Sequence, residues 1–242
     1  MLRFLFALAF VSLQYLLCLH STVSAQTVYT VTNNLDNSST GSLRWAISQA
    51  NASTLADTIR FNISSGQDTI TLSSLLPTIT QQLYLDGTFA AAYALDTPAV
   101  TIDGGGNLTT LLRLNDAGSG HVKATIKGLV LYNASTQGVL SYTDSVRLEE
   151  LVFNSMPTAI KVDGGQANSW YRMQLYSVSG NPIVFANNAN LSSVEPILEG
   201  KSNNIFFGKA ANKTAITFYY REDDQYILIQ IRNTDYAGNW SF

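Results

Sequence analysis

Beyond residue 26, apolar and polar residues alternate with a period of two in Thr27-Val28-Tyr29-Thr30-Val31-Thr32, Thr58-Ile59-Arg60-Phe61-Asn62-Ile63, Thr69-Ile70-Thr71-Leu72, Leu83-Tyr84-Leu85 and Ala99-Val100-Thr101-Ile102. Such alternation sends successive side chains to opposite faces, so these segments predict β-strands. One segment departs from the pattern. Leu43, Ala46, Ile47 and Ala50 fall at i, i+3, i+4 and i+7 and predict a short helix over 42–50 with a single apolar stripe. Ser42 is its expected N-cap, and Asn51 stands where a left-handed C-terminal residue is common.

Many strands stop at Asp-Gly or Asn: Asp86-Gly87, Asp103-Gly104, Asn133, Asn154, Asp163-Gly164 and Gly180-Asn181. These residues tolerate positive φ or bond their own backbone, so a recurring stop marks a recurring turn. The middle of the chain also repeats. Leu129-Val130-Leu131-Tyr132 matches Leu151-Val152-Phe153-Asn154, 22 residues later, and Met173-Gln174-Leu175-Tyr176 a further 22 residues on. A unit of that size made of short strands and tight turns predicts one coil of a parallel β-helix, each coil burying its inward side chains on the next. Asn133 and Asn154 would then stack as an asparagine ladder.

The repeat fades near Asn190. Beyond it, Ile205-Phe206-Phe207, Ala215 to Tyr220 and Tyr226 to Ile231 read as antiparallel strands of a small sandwich, with a boundary over Asn187 to Ser193. A final segment of about 50 residues is short for a complete domain, which leaves a truncated module or one packed on the solenoid end. The expected division is 26–190 for the solenoid and 191–242 for the C-terminal β module.

The first residues belong to neither. Arg3 gives a positive start, Phe4 to Leu19 form an apolar stretch, and Val23-Ser24-Ala25 precede Gln26 as small and polar residues suited to a peptidase. Residues 1–25 therefore read as a cleavable secretory signal, since the apolar run falls short of the roughly 20 residues a membrane span needs. A lipid attached at Cys18 is disfavoured because Leu17 precedes it, where a small residue is expected. Removing the signal takes away the one cysteine and His20, leaving His121 as the histidine of the mature chain. Disulfides, thiolate chemistry and paired-histidine zinc sites are thereby excluded from it. Charged residues make up 13% of the chain with a formal net charge of −3. That balance excludes a strongly basic nucleic-acid binder.

Taken in order, Tyr29-Thr30-Val31-Thr32-Asn33, Gly41-Ser42-Leu43-Arg44-Trp45-Ala46-Ile47 with Gln49-Ala50-Asn51, and Ala56-Asp57-Thr58-Ile59-Arg60-Phe61 resemble the N-terminal segment of secreted bacterial right-handed parallel β-helix proteins of the pectin-lyase-like type. The resemblance continues to about Asn181. It implies an all-β, right-handed parallel β-helix whose GSLR-x-AI helix caps the open end of the solenoid, where uncovered strands would otherwise meet water. The last residues, Thr234 to Phe242, resemble the final strands of bacterial Ig-like modules that follow such solenoids on surface proteins. Together these imply a secreted or cell-surface, non-catalytic solenoid for adhesion or for binding a surface polysaccharide or extracellular protein, with no cofactor.

The solenoid also resembles that of pectate lyases and polygalacturonases, which makes a calcium-dependent polysaccharide lyase the alternative. A lyase needs carboxylates to hold calcium and a basic group to remove a proton. Asp86, Asp103 and Asp163 are the candidate carboxylates, with Lys127, Arg147 and Lys161 as bases, although each aspartate precedes a glycine in a turn that accounts for it. The polygalacturonase order of motifs is not present: Asn233-Thr234-Asp235 follows Asp223-Asp224, and Gly118-Ser119-Gly120-His121 is not GHG. A Ser/His/Asp triad would depend on the same His121, which reads as a loop residue. Among aromatics, Trp45, Trp170, Tyr171 and Tyr176 suit stacking on sugar rings. Trp45 reads as cap packing, and Trp170 and Tyr171 are the candidate carbohydrate-binding pair. Asn-x-Ser/Thr triplets such as Asn62-Ile63-Ser64 follow from the composition.

Overall fold

The computed structural model describes residues 26–63, 68–115, 122–165, 168–181 and 183–186, and beyond these only the backbone of individual strands. Residues 1–25 and His121 lie outside the described residues.

The chain winds into a parallel β-solenoid of about six coils. A first face stacks β1 (Val28–Val31), β2 (Asp57–Phe61), β4 (Leu83–Asp86), the start of β7 (Ala124–Tyr132), the start of β9 (Arg147–Met156), β11 (Asn168–Tyr171) and β14 (Leu191–Glu195). A second face carries β3 (Thr69–Thr71), β5 (Val100–Asp103), the later halves of β7 and β9, and β12 (Gln174–Val178). The third face stacks β6 (Thr110–Leu114), β8 (Gln137–Ser141), β10 (Thr158–Asp163) and β13 (Ile183–Ala186).

Alternation aims buried columns inward from each face. Ile59, Leu85, Ile126, Leu148 and Trp170 stand in register on the first face. Ile70, Ile102, Leu131, Phe153 and Leu175 do so on the second. Leu112, Val139, Ile160 and Ile183 complete the core from the third. Each side chain rests on its counterpart one rung away, so apolar burial accumulates along the axis.

The 22-residue repeat appears in the backbone as well as in the register. Gly128, Glu150 and Arg172 turn the chain from the first face to the second with φ of 66°, 51° and 54°, and Asn133, Ser155 and Ser177 mark the end of the second face with φ of 59°, 59° and 49°. Side chains at such angles cost about 1–2 kcal/mol each, which the in-register ladders on both sides outweigh. Glycine is required at only one of the first three. A Cβ on Gly128 would stand 2.8 Å from Thr88 Cγ2 and 3.0 Å from Thr88 N, where the chain leaves β4.

The asparagine ladder is not formed. The register sets Asn154 between Tyr132 and Tyr176, whereas Asn133 lies one step further round the corner. The two asparagines are joined instead by the Asn133 N–H donating to the Asn154 carbonyl at 2.9 Å, and the Asn154 Oδ1 accepts from Ser155 Oγ.

The helix is α1 (Leu43–Ala52), and it buries Leu43, Ala46, Ile47 and Ala50 against β1 and β2. Ser42 Oγ accepts from Trp45 N at 3.1 Å as its N-cap. Trp45 meets Tyr29 edge-on at 5.7 Å. Two charged residues tie the cap to the coil beneath it. Arg44 donates to Asp36 Oδ1 and to the carbonyls of Ser74 and Leu75, while Asp36 Oδ2 accepts from the Ser73 N–H and hydroxyl. Burial alone would raise the Asp36 pKa, but the Ser73 bonds and the Arg44 guanidinium outweigh it and hold the carboxyl below its ordinary value. Asn51 is not the left-handed terminus expected of it. It remains helical because its amide donates to the Thr78 carbonyl at 2.7 Å and accepts from Thr80 N at 2.9 Å, which carries the helix to Ala52.

β14 pairs parallel with β11, so the first face has one more rung than the repeat displays in sequence. Further on, β15 (Ile216–Glu222) and β16 (Gln225–Ile231) form an antiparallel hairpin. The Ig-like module expected over 191–242 falls on a segment of which only strand backbones are described.

Candidate functional site

The outward side of the first face is a grid of side chains fixed by strand register. Tyr84, Thr125, Arg147 and Ser169 form one column across four successive rungs, and Asp86, Lys127, Glu149 and Tyr171 form the other. Adjacent rungs are about 4.8 Å apart, so Tyr84 and Tyr171 stand at opposite corners of a platform roughly 14 Å long. A shallow groove runs along the first column, lined by Tyr84, Lys123, Thr125, Ser145, Arg147 and Ser169 among others.

The charged groups of this grid compensate one another. Glu149 is nearly enclosed, pairs with Arg147, and lies 3.8 Å from Lys127 Nζ. The hydroxyls of Thr125 and Ser169, the largely exposed Arg147 guanidinium and two phenol rings remain on the surface to meet a ligand.

The loop following β4 climbs over the edge between the first and second faces and walls the platform on that side. It begins with a 3-10 turn over Gly87–Phe89, where the Arg60 guanidinium lies 3.9 Å over the Phe89 ring. Higher up, the Tyr93 hydroxyl donates to Glu150 Oε2, and Arg172 grips both carboxylate oxygens of Asp96. Gln174 Nε2 donates to the Asp96 carbonyl at 2.9 Å, and Tyr176 donates its hydroxyl to Gln174 Oε1 at 3.1 Å. Burial, then the Glu150 bond, pushes the Tyr93 phenol well above its ordinary pKa. These groups hold the loop down. Loop residues from the third coil thus reach strands of the fifth and sixth, contacts that local pattern does not reveal. The sequence signal for Glu150 and Arg172 is that they follow Gly128 at successive intervals of 22 residues.

Of the candidate sugar-binding pair, only one member faces solvent. Trp170 is 2% exposed and extends the Ile59 to Leu148 column, whereas Tyr171 is 39% exposed. Neighbours on one strand point to opposite sides, so the two rings cannot share a platform. Tyr176, 37% exposed, lies on the second face, next to the Ser177 corner that ends it. Trp45 is packed against the core through the cap.

The three candidate calcium ligands are not brought together. Asp86 ends a strand of the first face, Asp103 one of the second and Asp163 one of the third. Asp86 accepts from Thr88 N at 2.9 Å and from its hydroxyl, Asp103 accepts from Gly105 N at 2.8 Å, and Asp163 lies 3.2 Å from Lys161 Nζ. Each is engaged by its own turn or strand. The candidate bases Lys127, Arg147 and Lys161 are likewise all beside carboxylates. Among the described residues, no group of three or more His, Cys, Asp or Glu is placed to hold a metal, and no helix is long and apolar enough to cross a membrane.

No protein-family model matches the chain, and no curated protein matches it either.

Proposed function

We propose that this protein is a secreted or cell-surface, non-catalytic solenoid that binds an extracellular polysaccharide across the outer side of its first face. The observation that carries the reading is the pair of exposed tyrosines, Tyr84 and Tyr171, at opposite ends of a grooved platform whose intervening rungs offer hydroxyls and a guanidinium. Apolar sugar faces stack on aromatic rings, and their hydroxyls need hydrogen-bond partners at the rim, which Thr125, Arg147 and Ser169 supply. A binding reading also accounts for the ionisable groups. Glu150, Asp96, Arg172, Glu149 and Lys127 are engaged with protein partners, so among the described residues these acids and bases are committed to one another rather than to proton transfer.

Affinity electrophoresis against pectin, alginate, xylan and glucan gels tests the assignment. Retardation of the wild-type protein in at least one gel, reduced tenfold or more in Tyr84→Ala and Tyr171→Ala and unchanged in Leu35→Ala, is the expected result. Release of unsaturated or reducing sugars from any of these polymers above a blank would overturn the non-catalytic reading. Retardation unaffected by either tyrosine substitution would overturn the site.

A further inference from the structure

Asp57, the first residue of β2, is fully buried and shares the inward side of the strand with Ile59 and Phe61. Its Oδ1 accepts a hydrogen bond from the Thr27 N–H at 2.8 Å, while its Oδ2 is enclosed and has no hydrogen-bond partner. A buried carboxylate oxygen left unsatisfied is costly, and such positions are ordinarily completed by a further donor or a cation.

The chain itself offers a source of such a donor. The backbone nitrogen of Gln26 is within about 4 Å of the Thr27 nitrogen by chain geometry alone. In the unprocessed chain it is a neutral amide in the Ala25-Gln26 bond. Hydrolysis of that bond by a signal peptidase places the water's hydroxyl on the Ala25 carbonyl and its proton on the Gln26 nitrogen. The resulting amine, with an ordinary pKa of about 8, takes up a further proton near neutral pH and becomes an ammonium with three donors.

We propose that Asp57 is a docking site for the α-ammonium group created at Gln26 when the leader is removed, so that maturation itself completes the first rung of the solenoid. The proposal rests on reading residues 1–25 as a cleaved signal. The Gln26 side chain is already anchored beside the site, its Nε2 donating to Thr58 Oγ1 at 3.0 Å, one residue from Asp57. An α-nitrogen held as an ammonium has no lone pair to attack the Gln26 Cδ, so formation of a lactam with expulsion of ammonia is slowed.

The test compares four preparations of residues 26–242, liberated from a fusion by a protease that leaves the chosen first residue free. They are the wild-type chain, the same chain with one alanine retained before Gln26, and Asp57→Asn in both forms. The retained alanine is expected to lower the wild-type melting temperature by about 4 °C or more and to leave Asp57→Asn unchanged. The wild-type α-amine is also expected to acylate at least tenfold more slowly in the folded protein than in urea, and to show negligible loss of ammonia by mass spectrometry. This measurement needs no variant, so it decides the matter even if Asp57→Asn does not fold. Equal melting of the two wild-type forms, or an α-amine as reactive folded as unfolded, overturns the docking. N-terminal sequencing of the secreted product separates the premise: a start other than Gln26 overturns the maturation step while leaving the liberated chain a valid test of the site.

Discussion

Replacing Ile47 with Asp tests whether α1 is a cap or an appendage. Ile47 is fully buried and belongs to one continuous core with Val31, Ile59 and Phe61 of the first two rungs. Truncating such a residue to Ala costs about 2–5 kcal/mol, part from lost burial and part from the cavity. An aspartate adds an unpaired charge to the same contact, so the total exceeds what the cap can hold and α1 should detach. Solenoid rungs interact mainly with their neighbours, so the loss appears first as melting of the terminal rung. At roughly 2–4 °C per kcal/mol for a chain of this size, Ile47→Ala should show an early transition lowered by about 10 °C, and Ile47→Asp should lack the cap at all temperatures. Near-UV circular dichroism reads it, because Trp45 and Tyr29 pack edge-on only while α1 is docked. Size-exclusion chromatography supplies the second measure. β1 is the outermost strand of its face, and without the helix its edge and the apolar residues beneath it invite association. Ser48→Asp, on the exposed side of the helix, should melt within about 1 °C of wild type. Wild-type melting and a monomeric elution profile for Ile47→Asp would refute the capping role.

Three other outcomes follow from the contacts. Asp36 has its pKa lowered on folding, so its stabilisation is complete above the unfolded value near 3.8 and is lost as pH falls through the lower folded value; Asp36→Asn should reduce the melting temperature at pH 7 and flatten the acid limb below pH 4, as followed by thermal melts across pH. Gly87→Ala would set a Cβ 2.1 Å from the Gly128 carbonyl oxygen in the next coil, and chemical denaturation should show a loss of about 3 kcal/mol or more. Glu149→Gln removes the carboxylate that compensates Arg147 and Lys127; under the proposed function, retardation in acidic-polysaccharide gels should strengthen several-fold at low salt and converge on wild type at high salt, with neutral glycans unaffected.

Whatever repeats along the axis was legible in the sequence, and whatever crosses between coils was not. The 22-residue spacing of Leu129, Leu151 and Met173 is the actual register of the second face, because stacked rungs must present like side chains to like. The same spacing carries Ile126 to Leu148 to Trp170, and applying it there places Trp170 inside and leaves Tyr171 outside. Composition drew both aromatics into one candidate site, and period two separates them. Asn133 and Asn154 failed as a ladder for a related reason: their separation is 21, and one residue of slip moves a side chain from a strand to a corner. The helix was legible to its first residue because N-cap chemistry is local, but its last turn was not, since Asn51 stays helical through bonds to Thr78 and Thr80, which are distant in sequence. The wall formed by Tyr93 and Asp96 is the extreme case. Its partners Glu150 and Arg172 lie 57 and 76 residues away, and they become neighbours only because the one or two intervening coils are each one strand thick. A solenoid therefore exposes its core to sequence reasoning and conceals its surface. The interior is a one-dimensional repeat, while any site spread over several rungs is assembled from residues whose sequence separation is set by the lengths of the loops between them.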